Sequence, residues 1–176
     1  MPNRRVAIQQ LLLIWAGVAF LPACLPNDRK VSIPLTQIHI EADDEMMLSE
    51  LTETILPKTE SPGAKDLSAN LFVLKMVDDC FTKVDQDKYV KGMKAFEDFV
   101  HTKTGKSFVN SDAAGRQAIV AGIDKQQTAD PITFFYQSTK KLTVEAYTTS
   151  EIYMTKIRGY KMIPGRYYGC VPLKTA

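Results

Sequence analysis

Histidine is nearly absent from this chain: two occur in 176 residues, His39 and His101. Neither belongs to a spaced cluster such as HxxxH or HExxH, so the sequence supplies no zinc-site pattern. His101 falls near the end of a helical segment and reads as a solvated residue there. No GxGxxG follows a strand-like run, and there is no phosphate loop, GxSxG elbow or CxxCH haem motif. An excess of positive charge is also lacking. The formal charge is +2, and setting aside residues 1–23, which hold Arg4 and Arg5 but no acid, leaves 20 bases against 20 acids. That balance argues against a phosphate-neutralising surface and predicts no nucleic-acid partner. Long apolar runs are missing too. The one apolar stretch, Leu11 to Leu21, is about half of the roughly 20 residues a membrane-crossing helix needs.

What the N-terminus does contain reads as an address. Arg4 and Arg5 form a positive n-region ahead of the apolar run, and Leu21-Pro22-Ala23-Cys24 follows it. This order resembles the lipobox of bacterial lipoproteins. The resemblance implies cleavage between Ala23 and Cys24, with Cys24 acylated on its sulfur and at its new N-terminus. Several acyl chains, each contributing about 0.8 kcal/mol per buried CH₂, would hold the chain on a membrane. An ordinary secretory signal with an incidental Cys24 is the alternative. Asn3-Arg4-Arg5-Val6-Ala7-Ile8 also resembles the twin-arginine signal, which exports proteins already folded, although Ala7 stands where a large apolar residue is usual. The expected location is the bacterial periplasm or outer membrane, lipid-anchored. Residues 24–42 read as a tether, with Pro26 and Pro34 punctuating a polar stretch.

From Asp43 the apolar period is helical, which predicts an all-α domain over residues 43–176 with an irregular tail at 158–176. Met47, Leu48, Leu51 and Ile55 share one face of a first helix, with Asp43 and Asp44 supplying its cap and Pro57 closing it. Ser61-Pro62-Gly63 predicts a tight bend. A second helix opens near Asp66 or Ser68 and runs through Thr82, with Val73, Val77, Cys80 and Phe81 on one side. A third spans Asp85 to Thr104 and places Tyr89, Met93, Phe96 and Val100 together, with Gly105 as its cap. A fourth starts at Ser111 or Asp112 and carries Ile119, Val120 and Ile123. A fifth opens at Asp130-Pro131 and holds Phe134, Phe135 and Leu142. A short sixth piece covers Ser150 to Ile157. KLTVEAYTT has β propensity, but Leu142 and Ala146 continue the helical spacing and favour helix. SFVNS is too short to count as a strand.

Chemistry is hard to find within these helices. Asp78-Asp79 and Asp43-Asp44-Glu45 point about 100° apart per residue, so they read as solvated faces rather than acid–base pairs. Phe134, Phe135 and Tyr136 read as packed core rather than a flavin or haem pocket. Three cysteines occur. With Cys24 lipidated, Cys80 and Cys170 remain, in a compartment that permits disulfides. Cys80 shares a face with Val73 and Val77 and reads as a buried thiol. Cys170 lies in GRYYGCVP, Gly165 to Pro172, a mixture that neither helix nor strand tolerates. Pairing with Cys80, a free thiol and a bond to a partner chain are all open to it.

Four segments in order carry a family resemblance: ILPKTESPGAKD (Ile55–Asp66), the Phe134-Phe135 pair, YTTSEI (Tyr147–Ile152) and PGRYYGCVP (Pro164–Pro172). Together they resemble subunit 3, the small subunit of gluconate 2-dehydrogenase, over about Glu45 to Pro172. The resemblance implies a helical, exported protein. It would accompany a large FAD-dependent subunit of the glucose-methanol-choline type, and often a c-type cytochrome carrying haem. It further implies that FAD and substrate bind the large subunit, with no catalytic residue, metal or cofactor in this chain. Its role would be to aid export, anchoring and stability of the flavoprotein. Pro164, Tyr167, Tyr168 and Cys170 become candidates for the partner interface, since tyrosine is enriched there. The resemblance raises the standing of a Cys170 bond to the large subunit above that of a Cys80–Cys170 disulfide, with a free thiol as the remaining alternative. A stand-alone helical envelope lipoprotein with a binding or structural role is the competing reading.

Overall fold

The computed structural model describes residues 31–125, 130–163, 165, 169 and 170. Five α-helices follow in order: α1 (Ala42–Ile55), α2 (Ala69–Cys80), α3 (Lys83–Thr104), α4 (Ala113–Asp124) and α5 (Pro131–Thr148). A π-helical turn, Tyr153–Ile157, ends the series, and no strand occurs among the described residues. The all-α expectation holds, and KLTVEAYTT is helical through Thr148. Its Thr143 faces the core beside Thr139 of the preceding turn, and Thr143 Oγ1 donates to Thr139 O at 2.7 Å. Bonding to the preceding turn satisfies a hydroxyl that burial would otherwise strand.

The long helices α3 and α5 make the central pair, with α2 against α5 and α1 across α2, α4 and α5. Gly92 permits this crossing. A Cβ there would run into Pro131 O and stand 2.7 Å from Phe135 Cβ, so the α3 backbone lies directly on the first turn of α5. Around that point Tyr89, Met93, Phe96 and Val100 interdigitate with Phe135, Tyr136 and Leu142. The Tyr89 and Phe135 rings meet edge-on at 5.0 Å, and Tyr89 Oη bonds Thr139 Oγ1 at 2.9 Å. Burial drives the Tyr89 phenol far above its usual pKa, against the smaller lowering effect of the Thr139 bond.

Helix ends follow the sequence with instructive shifts. Asp130 accepts from Thr133 N at 2.7 Å with Pro131 in the first turn, and Gly105 caps α3 with φ +69°. The α1 cap, however, is Glu41 rather than Asp43 or Asp44. Its side chain accepts from the Asp44 amide, while Asp44 accepts the Glu41 N–H at 2.9 Å. Helix α3 begins two residues before Asp85 because Thr82 takes the cap, accepting from Asp85 N. SFVNS supplies more than a connector: Phe108 is fully buried, its ring 5.2 Å from that of Phe96. The Phe108 N–H donates to Glu97 Oε1 at 3.1 Å.

The largest departure lies in the stretch read as a tether. Residues 31–41 run along the core: Ile38 is buried, and Ile33, Leu35 and Ile40 pack beside it. The cause is Asp78, which the acidic-pair reading placed on a solvated face. Asp79 is exposed, but the Asp78 side chain is completely buried. Its Oδ2 accepts from Thr36 N (2.9 Å) and Thr36 Oγ1 (3.2 Å), and its Oδ1 from Gln37 N (2.7 Å) and Ile38 N (2.9 Å). Burial works against ionisation there, yet these four donors outweigh it and pull the carboxyl down to about 2. Beneath it, Gln86 Nε2 donates to the Val77 and Asp78 carbonyls at the end of α2. Residues 31–41 therefore belong to the folded domain.

Candidate interaction surface

At the end of α5 the chain is turned by its own hydroxyls. Thr149 Oγ1 donates to Glu145 O at 2.7 Å and Ser150 Oγ to Tyr147 O at 2.7 Å. Ser150 Oγ also receives Tyr153 N at 3.3 Å. Ser and Thr stop helices by this competition for local backbone partners. The chain then winds wider: Arg158 N reaches Tyr153 O (2.9 Å), five residues back, and Tyr160 N reaches Met154 O (2.8 Å). Gly159, at φ +61°, redirects the backbone between those two bonds. Tyr147 and Tyr153 stack edge-to-face at 5.3 Å, which pins the turn to α5.

Past that pin the side chains point at solvent. Ile157 is 56% exposed, Tyr160 54%, Met162 82% and Ile163 84%. Four large apolar residues within seven positions make an unusual concentration of exposed hydrophobic area. Lys156, Arg158 and Lys161 alternate with them, all exposed. Of the interface residues named from sequence, Cys170 is exposed, whereas Pro164, Tyr167 and Tyr168 lie outside the described residues. The export and lipidation residues Arg4, Arg5, Ala23 and Cys24 lie outside them as well. Among the described residues, no helix is long and apolar enough to cross a membrane. The tail expected from residue 158 onward is thus preceded by Ile157, where the exposed apolar run starts.

The Cys80 expectation needs correction. Cys80 is the last residue of α2 and is exposed, not a buried thiol, because the helix stops before completing the turn shared with Val73 and Val77. Cys80 and Cys170 are both free. Cys80 stands at the rim of an open groove of about 380 Å³, floored by Met76, Phe81, Phe134 and Leu142. The Phe134–Phe135 pair thus splits: Phe135 is fully buried, while Phe134 faces this groove with Lys88 Nζ 4.4 Å from its ring centroid.

A second cleft, about 410 Å³, contains Asp43, Asp44 and Glu97. Burial raises the Glu97 carboxyl above its usual range, opposed by the Phe108 N–H and reinforced by Asp44. Two of these carboxylates already hold backbone amides, Asp44 that of Glu41 and Glu97 that of Phe108. Their work is structural. Among the described residues no group of three His, Cys, Asp or Glu side chains converges as a metal site.

The family model described as gluconate 2-dehydrogenase subunit 3 matches residues 42–165, from the first residue of α1 to just past the exposed apolar run. The chain belongs to the gluconate 2-dehydrogenase subunit 3 family. No curated protein and no solved structure matches it. The family is that of an accessory subunit of a dehydrogenase complex. Family segments occupy distinct places here. Ile55–Asp66 forms the end of α1 and the following bend, where Ala64 is fully buried and its N–H donates to Leu56 O at 3.0 Å. Tyr147–Ile152 forms the hydroxyl-rich exit of α5.

Proposed function

We propose that this member of the gluconate 2-dehydrogenase subunit 3 family is the non-catalytic small subunit of a membrane-associated, FAD-dependent sugar or sugar-acid dehydrogenase. Its partner is a large flavoprotein subunit of the glucose-methanol-choline type, with a c-type cytochrome as electron acceptor. FAD and the reacting sugar belong to the large subunit. This chain stabilises the flavoprotein, assists its export through the Arg4-Arg5 signal, and anchors it by lipid on Cys24. The observation that carries the reading is the exposed apolar run Ile157, Tyr160, Met162 and Ile163, held at the edge of a packed helical core. An isolated soluble domain gains nothing from such exposure; a subunit interface does.

In the proposed complex the tail through Tyr167 and Tyr168 continues the contact, and Cys170 bonds covalently to the large subunit. Gentle detergent extraction with a tag on this chain tests the proposal. The expected product is a yellow complex containing a larger flavoprotein, whose two chains migrate together on non-reducing electrophoresis and separate on reduction. A colourless, solitary lipoprotein would overturn the reading in favour of a stand-alone envelope role. Co-purification with unchanged non-reducing migration would remove only the covalent bond, leaving Cys170 the free thiol it is in the structure.

A further inference from the structure

Charge is distributed unevenly along this chain. Residues 31–151 hold 19 acids and 13 bases, whereas residues 152–176 hold five bases, Lys156, Arg158, Lys161, Arg166 and Lys174, and no acid. The acidic body does not neutralise the basic end: Lys156, Arg158 and Lys161 are exposed, and none forms an ion pair with a described residue. Acids elsewhere are engaged, as with Glu50 to Lys65 and Arg116, and Asp124 to Lys140. The three free bases interleave with the exposed Ile157, Tyr160, Met162 and Ile163.

Resting on the subunit role above, we propose that residues 156–163 form a primary docking segment that enters an acidic groove with an apolar floor on the flavoprotein subunit. The bases would steer and orient the encounter, while the four apolar side chains would supply the buried contact that slows dissociation. A protein groove suits this segment better than a lipid surface. Interfacial membrane binding calls for a helix with its apolar and basic residues sorted to opposite faces. Here the helical winding ends at Ile157, and bases and apolar residues alternate along an irregular backbone. Irregular backbone is costly in hydrocarbon, where no water satisfies its polar groups, whereas a protein groove can provide hydrogen-bond partners. The segment is also presented in a defined direction by the Tyr147–Tyr153 contact and the Tyr160 N to Met154 O bond. That preorganisation reduces the ordering cost of docking.

The test uses the full chain co-expressed with the flavoprotein subunit, in wild-type form and as two triple variants. One reverses charge (Lys156→Glu, Arg158→Glu, Lys161→Glu); the other truncates apolar area (Ile157→Ala, Met162→Ala, Ile163→Ala). Association and dissociation rates are measured under reducing conditions, which open any Cys170 bond, against the immobilised flavoprotein at low and high salt. Charge reversal is expected to slow association by about tenfold or more at low salt and to lose most of that effect at high salt. Apolar truncation is expected to accelerate dissociation by at least about tenfold at either salt concentration. Wild-type binding that neither variant alters would overturn the docking segment while leaving the subunit role standing. Absence of any wild-type binding would overturn both. Two further results overturn the inference: loss of binding to phosphatidylglycerol vesicles in both variants with the complex intact, which assigns the segment to lipid, and loss of a wild-type homodimer, which assigns it to a second copy.

Discussion

Replacing Asp78 should release residues 31–41 from the core, and the magnitude follows from the bonds that carboxylate accepts. Truncation to alanine removes all four. It leaves the Ile38 N–H buried without a partner, at about 1–3 kcal/mol, while the part-buried Thr36 and Gln37 amides gain access to water. Adding the net value of the charge-assisted bonds gives a loss of about 3–4 kcal/mol, or a urea midpoint lower by about 1–2 M. Asp78→Asn is nearly isosteric but should fare little better. Turned one way, its NH₂ confronts the Gln37 and Ile38 amides; turned the other, it confronts the Thr36 amide, with only the Thr36 hydroxyl able to rotate and accept.

The pH dependence has a defined sign. The folded carboxyl is lowered to about 2 from 3.8, so its stabilisation is complete above pH 4 and is lost as pH falls towards 2. That difference corresponds to roughly 2 kcal/mol, which the wild type should lose between pH 6 and pH 2 in excess of Asp78→Asn. Urea unfolding followed by circular dichroism measures both quantities. Hydrogen exchange at the Thr36, Gln37 and Ile38 amides localises the effect. An unchanged midpoint in Asp78→Asn, with those amides still protected, would refute the latch.

Gly92→Ala should destabilise the fold by about 2 kcal/mol, because the clash with the α5 backbone exceeds the roughly 1 kcal/mol that alanine gains in helix propensity. Thermal unfolding checks this, and a raised Tm would contradict the close crossing. Tyr89→Phe should cost about 1 kcal/mol by breaking the buried bond to Thr139, and a Tyr89→Phe, Thr139→Val double variant should recover much of it, since both polar groups then leave the core together. If the double variant is worse by the sum of the single effects, the bond is not the coupling between them. Cys24→Ala is expected to shift the exported chain from the detergent phase to the aqueous phase on Triton X-114 partitioning; unchanged partitioning would count against lipid anchoring.

By itself the sequence determined the helical class, the principal apolar stripes and two caps, Asp130 with Pro131 and Gly105, because these depend on neighbours within a few positions. The heptad-like recurrence of Tyr89, Met93, Phe96 and Val100 specified a buried face whatever it packed against. Tertiary structure decided what depends on distant partners. Asp78 looks like half of a solvated acidic pair, and only the arrival of residues 36–38, some 40 positions away, gives its charge a buried role. Leu74 four positions earlier and Phe81 three later were the available hint that Asp78 lies on an inward face. Cys80 reversed in the opposite sense, since a helix terminating at that residue exposes a position its periodicity would bury. Periodicity reports which face of a helix is apolar; where the helix stops, and which loop closes over a polar residue on that face, are settled by packing between segments far apart in the chain.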